Sequence, residues 1–240
     1  MKDDLGNRMK KQYENRTRYF LPRRTYTIIR LDGKSFHTFT KGMEKPFDIG
    51  LILVMNETAK YLCENIQGTQ FAYVQSDEIS ILLTDFTTIT TDAWFDGQIQ
   101  KIASVSASMA SAKFNDEIKK TFVTPKGLAF FDSRVFTIPD PTEVENYFIW
   151  RQKDAVRNSI SMYAQSLYSH KELNGKSQIN MHDMIHEKGK NWNDLSDGCK
   201  RGRIIIKNVN GEWNVGTPDF QLQGLDGRII SSFIPKLGDE

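Results

Sequence analysis

The sequence predicts an α+β fold built on a ferredoxin-like βαββαβ sheet, with additional C-terminal helices and a β-hairpin. Three observations predict it. Strand and helix patterns follow one another as strand, helix, strand, strand, helix, strand, the split βαβ order. The two middle strands are only a polar tetrad apart, which makes them a hairpin. The 240 residues are 39% hydrophobic and 26% charged, enough for one sizeable core or two small ones.

The first strand is the β-branched run Tyr26, Ile28, Ile29 and Leu31, which ends in the turn signal Asp32-Gly33. Leu51, Val54, Met55, Thr58, Leu62 and Cys63 then recur at helical spacing, so Cys63 reads as a core residue. Phe71 to Val74 and Ile79 to Leu83 are strands on either side of Gln75-Ser76-Asp77-Glu78. A second helix carries Ile99, Ile102, Ala103, Ser106, Met109, Ala110 and Lys113, its small residues suited to close packing on a sheet. Leu128 to Phe136 supplies the fourth strand, interrupted by Asp132.

Asp140-Pro141-Thr142-Glu143 has the acceptor, proline and glutamate of a helix start, and that helix runs to about Tyr168. A short helix over Ile179 to Glu187 and a basic turn, Cys199 to Arg203, follow. Asn210-Gly211 between Ile204–Val209 and Trp213–Val215 signals a hairpin with a type I′ turn. From Thr217 onward the pattern is mixed.

No stretch approaches the roughly 20 unbroken apolar residues of a membrane helix. The acidic start Met1-Lys2-Asp3-Asp4 does not open a secretory signal. Two cysteines, Cys63 and Cys199, stand far apart and outside any zinc-ligand spacing. The expectation is a reduced, cytoplasmic chain with no membrane partner. Charge is uneven: residues 1–45 hold 12 basic against 5 acidic side chains, residues 46–100 hold 1 against 8, and residues 149–203 hold 10 against 6. Such blocks suit a site that gathers cations at carboxylates and polyanions at its rim, or are solvated faces of ordinary elements.

In a split βαβ sheet the first and third strands are central neighbours. Asp32 leaves the first, and Asp77 and Glu78 open the third, so the fold brings the three carboxylates to one edge. Hard divalent cations take such oxygens, and Mg²⁺ adds backbone carbonyls and substrate phosphates. Gly33 leaves its own carbonyl open to close approach. Two such ions activate a hydroxyl and stabilise a leaving phosphate in nucleotidyl transfer. Taken singly, Asp-Gly after a strand is a turn and Asp-Glu at a hairpin tip is solvated.

Three motifs in order now carry a resemblance: Arg30-Leu31-Asp32-Gly33-Lys34-Ser35-Phe36-His37 with Lys45-Pro46-Phe47-Asp48; Gln75-Ser76-Asp77-Glu78; and Trp150-Arg151-Gln152-Lys153-Asp154 with Asn158. Over about residues 24–207 the chain resembles the tRNA(His) guanylyltransferase superfamily. The resemblance implies a catalytic sheet related to polymerase palms that adds nucleotides to an RNA 5′ end in the 3′-to-5′ direction. On this basis residues 1–138 form the palm with a basic N-terminal arm, and 139–240 a helical motif and hairpin packed on it.

Asp32, the Gly33 carbonyl and Asp77 are implied to hold two Mg²⁺, with Glu78 as a further catalytic carboxylate. Asp32, Gly33, Lys34, Ser35, Phe36, His37, Lys45, Asp48, Ser76 and Asp77 are implied to bind the nucleotide, GTP, ATP or another nucleoside triphosphate. Arg151, Lys153, Arg157 and Asn158 are implied to hold the RNA 5′ end, and a homotetramer is implied for the assembly. The chain has Val156-Arg157-Asn158-Ser159 where eukaryotic members carry His-Ile-Asn-Asn. That form resembles the bacterial and archaeal guanylyltransferase-like branch, which is associated with template-dependent repair of 5′-truncated tRNA.

The helix carrying this motif shows Arg151, Asp154, Asn158, Ser161 and Gln165 as a polar stripe, which RNA phosphates would partner, or which is a subunit interface or a solvated face. His182 and His186 have zinc-ligand spacing but lack a third ligand, and Asn174-Gly175-Lys176-Ser177 lacks the first glycine of a phosphate loop. Rival readings are a tRNA(His) G-1 guanylyltransferase, a nucleotide cyclase or signalling synthase, and a non-catalytic RNA-binding module. The last lacks the aromatic-rich strand pattern such modules show.

Overall fold

The computed structural model describes residues 3–122 and 125–216; the mixed stretch from Thr217 onward, the end of the second segment, lies outside the described residues. A short helix α1 (Asp4–Gln12) precedes β1 (Tyr26–Gly33), the single turn α2 (Phe36–Phe39) and α3 (Ile49–Asn65). The hairpin of β2 (Thr69–Gln75) and β3 (Glu78–Leu83) leads to α4 (Ile99–Ile118) and β4 (Phe131–Ile138). Then come α5 (Pro141–Leu167), α6 (His170–Leu173), α7 (Gln178–Glu187), α8 (Asp197–Arg201) and a last hairpin, β5 (Arg203–Lys207) and β6 (Trp213–Gly216).

The six strands make one antiparallel sheet in the order β4-β1-β3-β2-β5-β6, whose first four members have the ferredoxin-like order. Strand alternation sorts the side chains into two cores. On one face Ile29, Leu31, Ile79 and Ile81 pack with Met55 and Leu62 of α3 and Phe114 of α4. On the other, Ile28, Tyr73 and Leu82 pack with Val144, Phe148 and Ala155 of α5. A third cluster joins Ile160 and Ala164 to Ile185 and Trp192. Cys63 is buried among the first, and burial pushes its thiol up.

Asp140 caps α5 by accepting from the Thr142 and Glu143 amides at 2.8 and 3.1 Å, with Pro141 at the first helical position. The last hairpin differs from expectation in two ways. It extends the sheet beside β2 rather than packing on it, because Gly202 (φ 83°) brings the chain against β2. A Cβ at Gly202 would stand 2.5 Å from the Tyr73 hydroxyl and 2.7 Å from the Val74 carbonyl. Its turn is not type I′, for Gly211 (φ 82°) is left-handed and Asn210 is not. The Asn208 side chain instead accepts from the Asn210 and Glu212 amides, both at 2.9 Å, and sets a wider loop. The fourth strand begins at Phe131 rather than Leu128, since the Asn115 side chain takes both the amide and the carbonyl of Ala129.

Candidate active site

The site lies where β1 ends and β3 begins. Asp32 and Glu78 are register partners across these strands, and the Gly33 amide donates to the Asp77 carbonyl at 3.1 Å. The two predicted acidic loops therefore meet. Burial, with Glu78 as the next cause, holds Asp32 above the usual carboxylate range. Burial and the nearby Asp32 charge push Asp77 up to about 6. Two carboxylates that resist ionisation side by side are electrostatically short of a cation.

The donors fit magnesium: two carboxylates and the Gly33 carbonyl are hard oxygens, and Mg²⁺ needs no full protein cage when phosphates complete its shell. Among the described residues no group of three or more His, Cys, Asp or Glu side chains is placed to hold a metal by itself. His182 packs edge-on against Trp192 at 5.3 Å.

A cavity of about 620 Å³ opens beside this edge, lined by Gly33, Ser35, Phe36, His37, Lys45 and Ser76 among others. Asp48, Asp77 and Asn158 also line it. Ser35 (φ 56°) and Ser76 (φ 46°) hold left-handed backbone conformations costly for a non-glycine residue, and both lie in this wall. Gly33 serves packing as well as its carbonyl. A Cβ there would stand 2.3 Å from the Phe36 ring, which is buried against Phe39, Phe114 and Phe131 at centroid distances of 5.1 to 5.4 Å.

Some predicted residues sit differently. Both Asp48 oxygens are taken by backbone, the Leu51 amide at 3.0 Å and the Glu44 amide at 3.1 Å, so its side chain caps α3 and shapes the preceding loop. Lys34 is exposed, outside the cavity lining, with its amide bonded to the Phe130 carbonyl at 2.8 Å.

Glu78 was expected among the catalytic carboxylates and Arg151 on RNA phosphate. In the structure the two side chains meet each other. Strand alternation turns Glu78 toward α5, where it accepts from Arg151 Nε and Nη2 at 2.7 and 2.6 Å and from Arg30 Nε at 3.0 Å. Arg151 is 4% exposed, and its charge is spent on Glu78 and, at 3.0 Å, on Asp154. Asp154 in turn receives Arg157, which is exposed, and Asn158 at 3.4 Å. Lys153 is exposed on the same helix. Lower on the stripe, Ser161 accepts from Gln178 of α7 at 3.2 Å, a protein partner within the chain.

Sequence reasoning missed the far wall of the cavity, made by Gly198, Cys199 and Arg203. Arg203 is buried, bonded to Asn56 at 2.7 Å and the Gly198 carbonyl at 3.0 Å, and burial pulls its guanidinium down to about 10. The basic run Cys199 to Arg203 was the signal, but nothing local placed it beside β2.

The family model "Thg1: tRNAHis guanylyltransferase" matches residues 6–139. The tRNA(His) guanylyltransferase of Debaryomyces hansenii is 31% identical over 216 residues, covering 82% of this chain and 78% of that protein. A bacterial tRNA(His) guanylyltransferase (Thg1)-like protein solved in complex with ATP is 47% identical, with a TM-score of 0.88 over 96% of this chain and 99% of that one. Another, in complex with GTP, is 43% identical, with a TM-score of 0.79 over 97% and 99%. Match, identity and fold agree with the acidic edge and cavity: the chain belongs to the tRNAHis guanylyltransferase (Thg1) family and is a guanylyltransferase-like nucleotidyltransferase.

Proposed function

We propose that this protein is a template-dependent 3′-to-5′ nucleotidyltransferase that rebuilds 5′-truncated tRNA. The observation that carries the reading is the shared edge, where the Gly33 amide bonds the Asp77 carbonyl and Asp32 lies one residue away, opening onto a cavity of about 620 Å³. In the reaction the 3′-hydroxyl of the incoming nucleotide attacks the activated 5′-phosphorus of the RNA. A new P–O bond forms as the bond to pyrophosphate, or to AMP after adenylylation, breaks. Bound magnesium would lower the hydroxyl's pKa and stabilise charge on the leaving phosphate.

The chain's own residues supply position. Asp32, Asp77 and the Gly33 carbonyl would hold the metal; Ser35, His37, Lys45 and Ser76 gather the triphosphate; Lys153, Arg157 and Asn158 receive the RNA end. Pre-placed donors of this kind stabilise charge developing on phosphate oxygens more than they stabilise the ground state. Support for repair comes from Arg157-Asn158-Ser159 in place of the eukaryotic motif, and from the greater identity to the bacterial Thg1-like proteins. A homotetramer would add surface to grip the tRNA body.

The second reading, G-1 addition to tRNA(His), is favoured by the names of the family and of the Debaryomyces relative. Incubation with 5′-truncated and full-length tRNAs, all four nucleoside triphosphates and Mg²⁺, with products sequenced at the 5′ terminus, separates the two. Templated extension of truncated tRNAs of several species supports repair. A single G added only to full-length tRNA(His) supports the second reading and overturns the first.

A further inference from the structure

We propose that the exposed face of the Trp150 indole is a stacking platform for the terminal nucleobase of the RNA 5′ end. The proposal rests on the RNA-directed reading above and adds a contact absent from it. Trp150 is 52% exposed, on the face of α5 that also carries Lys153 and Arg157. One exposed aromatic is ordinary on a protein surface. This one is held in place and set beside the chemistry.

The indole is fixed from beneath. The Arg151 guanidinium lies 4.4 Å from its centroid, and Tyr147 meets it edge-on at 5.9 Å. Arg151 is itself immobilised by two hydrogen bonds to Glu78, and the Tyr147 hydroxyl is 2.9 Å from Ser80 Oγ. The ring's ordering is thus settled on folding, and a ligand that stacks on it pays little further entropy.

Its position points to the RNA end. Glu78, which holds Arg151, is the cross-strand partner of Asp32, so the platform adjoins the metal-binding edge. Across the sheet, β1 and β4 set Arg30 opposite Arg134 and Asp32 opposite Asp132. Like charges directly opposite one another destabilise a sheet, and here each is offset by an opposite charge, Arg30 by Glu78 at 2.7 Å and Asp32 at 3.5 Å, and Arg134 by Asp132 at 3.6 Å. Lys153, exposed, and Arg157, 61% exposed in its side chain and paired with Asp154, share the α5 surface with the indole. An aromatic face among exposed cations is the chemistry that takes an unpaired or terminal nucleotide, phosphate to the cations and base to the ring, with little regard to sequence.

The test is fluorescence anisotropy with a short RNA stem carrying a 5′-monophosphate, in one form intact and in the other lacking only the 5′-terminal base. Wild type, Trp150→Ala and Trp150→Phe are compared, with GTP binding measured separately as a readout of the intact fold. The expected result is about a tenfold loss of affinity for the intact RNA in Trp150→Ala, mostly restored in Trp150→Phe. Removing the base costs wild type the same factor, and neither variant changes binding of the abasic RNA or of GTP. Equal losses on both RNAs, no loss on either, or a changed oligomeric state as the sole effect overturns the platform. Failure of wild type to bind either RNA is a distinct result: it overturns the RNA-directed function, and the platform with it.

Discussion

At Asp77 a carboxyl that ionises with difficulty is kept at the edge proposed to bind metal. Burial, with Asp32 adding to it, pushes the group up to about 6. A carboxyl harder to ionise in the folded protein than in the unfolded chain favours the fold while protonated. That contribution is complete below about pH 4, the ordinary carboxyl range, and is lost as pH rises through about 6. Without divalent ions at pH 7, Asp77→Asn should therefore melt higher than wild type, by ~2–4 °C for each kcal/mol relieved in a chain of this size. The difference should vanish near pH 4, and Mg²⁺ should raise the melting temperature of wild type but not of the variant. A variant that melts lower at pH 7 contradicts the electrostatic account.

Gly33 makes a second residue-scale prediction. Gly33→Ala drives a methyl group into the buried Phe36 ring and should cost about 1–3 kcal/mol in a urea titration, besides weakening nucleotide binding. Asp32-Gly33 was legible in the sequence as a carboxylate beside a flexible carbonyl. The packing reason for the glycine was not, because it depends on where a ring three residues on comes to rest. Ser35 and Ser76 were equally opaque, since nothing in a serine announces a positive φ.

Among elements, β3 and α5 are joined by a buried ionic hub rather than by apolar contact alone. Glu78 is 5% exposed and Arg151 4%. Removing one partner strands the other's charge, so Glu78→Ala or Arg151→Ala should each destabilise the fold by about 3–5 kcal/mol. Asp32→Asn, at a partly exposed carboxylate proposed as a metal ligand, should not. Equilibrium denaturation of the three variants checks this, and a Glu78→Ala variant of wild-type stability would return Glu78 to the metal site. The sequence showed that Glu78 and Arg151 belong to conspicuous polar motifs. It did not show which face of the sheet Glu78 took, because a tetrad at a hairpin tip leaves the register open by one residue, and one residue reverses the face.

For the whole molecule, the strand order β4-β1-β3-β2 followed from the alternation of elements, and with it the meeting of the two acidic loops. The addition of β5 beside β2 did not follow. It depends on Gly202 fitting against Tyr73 and Val74, a contact across some 130 residues of chain that local pattern does not encode. Hence residues of the near wall of the cavity, built by β1 and its following loop, stood out in the sequence, while the far wall with Arg203 did not.

The most direct measurement is single-turnover incorporation of labelled nucleotide into a 5′-truncated tRNA by Asp32→Asn and Asp77→Asn, with RNA affinity measured alongside. Loss of a carboxylate proposed to bind metal should remove several kcal/mol of transition-state stabilisation, a fall of roughly a thousandfold, while RNA affinity stays within about twofold of wild type. Incorporation at the wild-type rate by either variant would contradict the account.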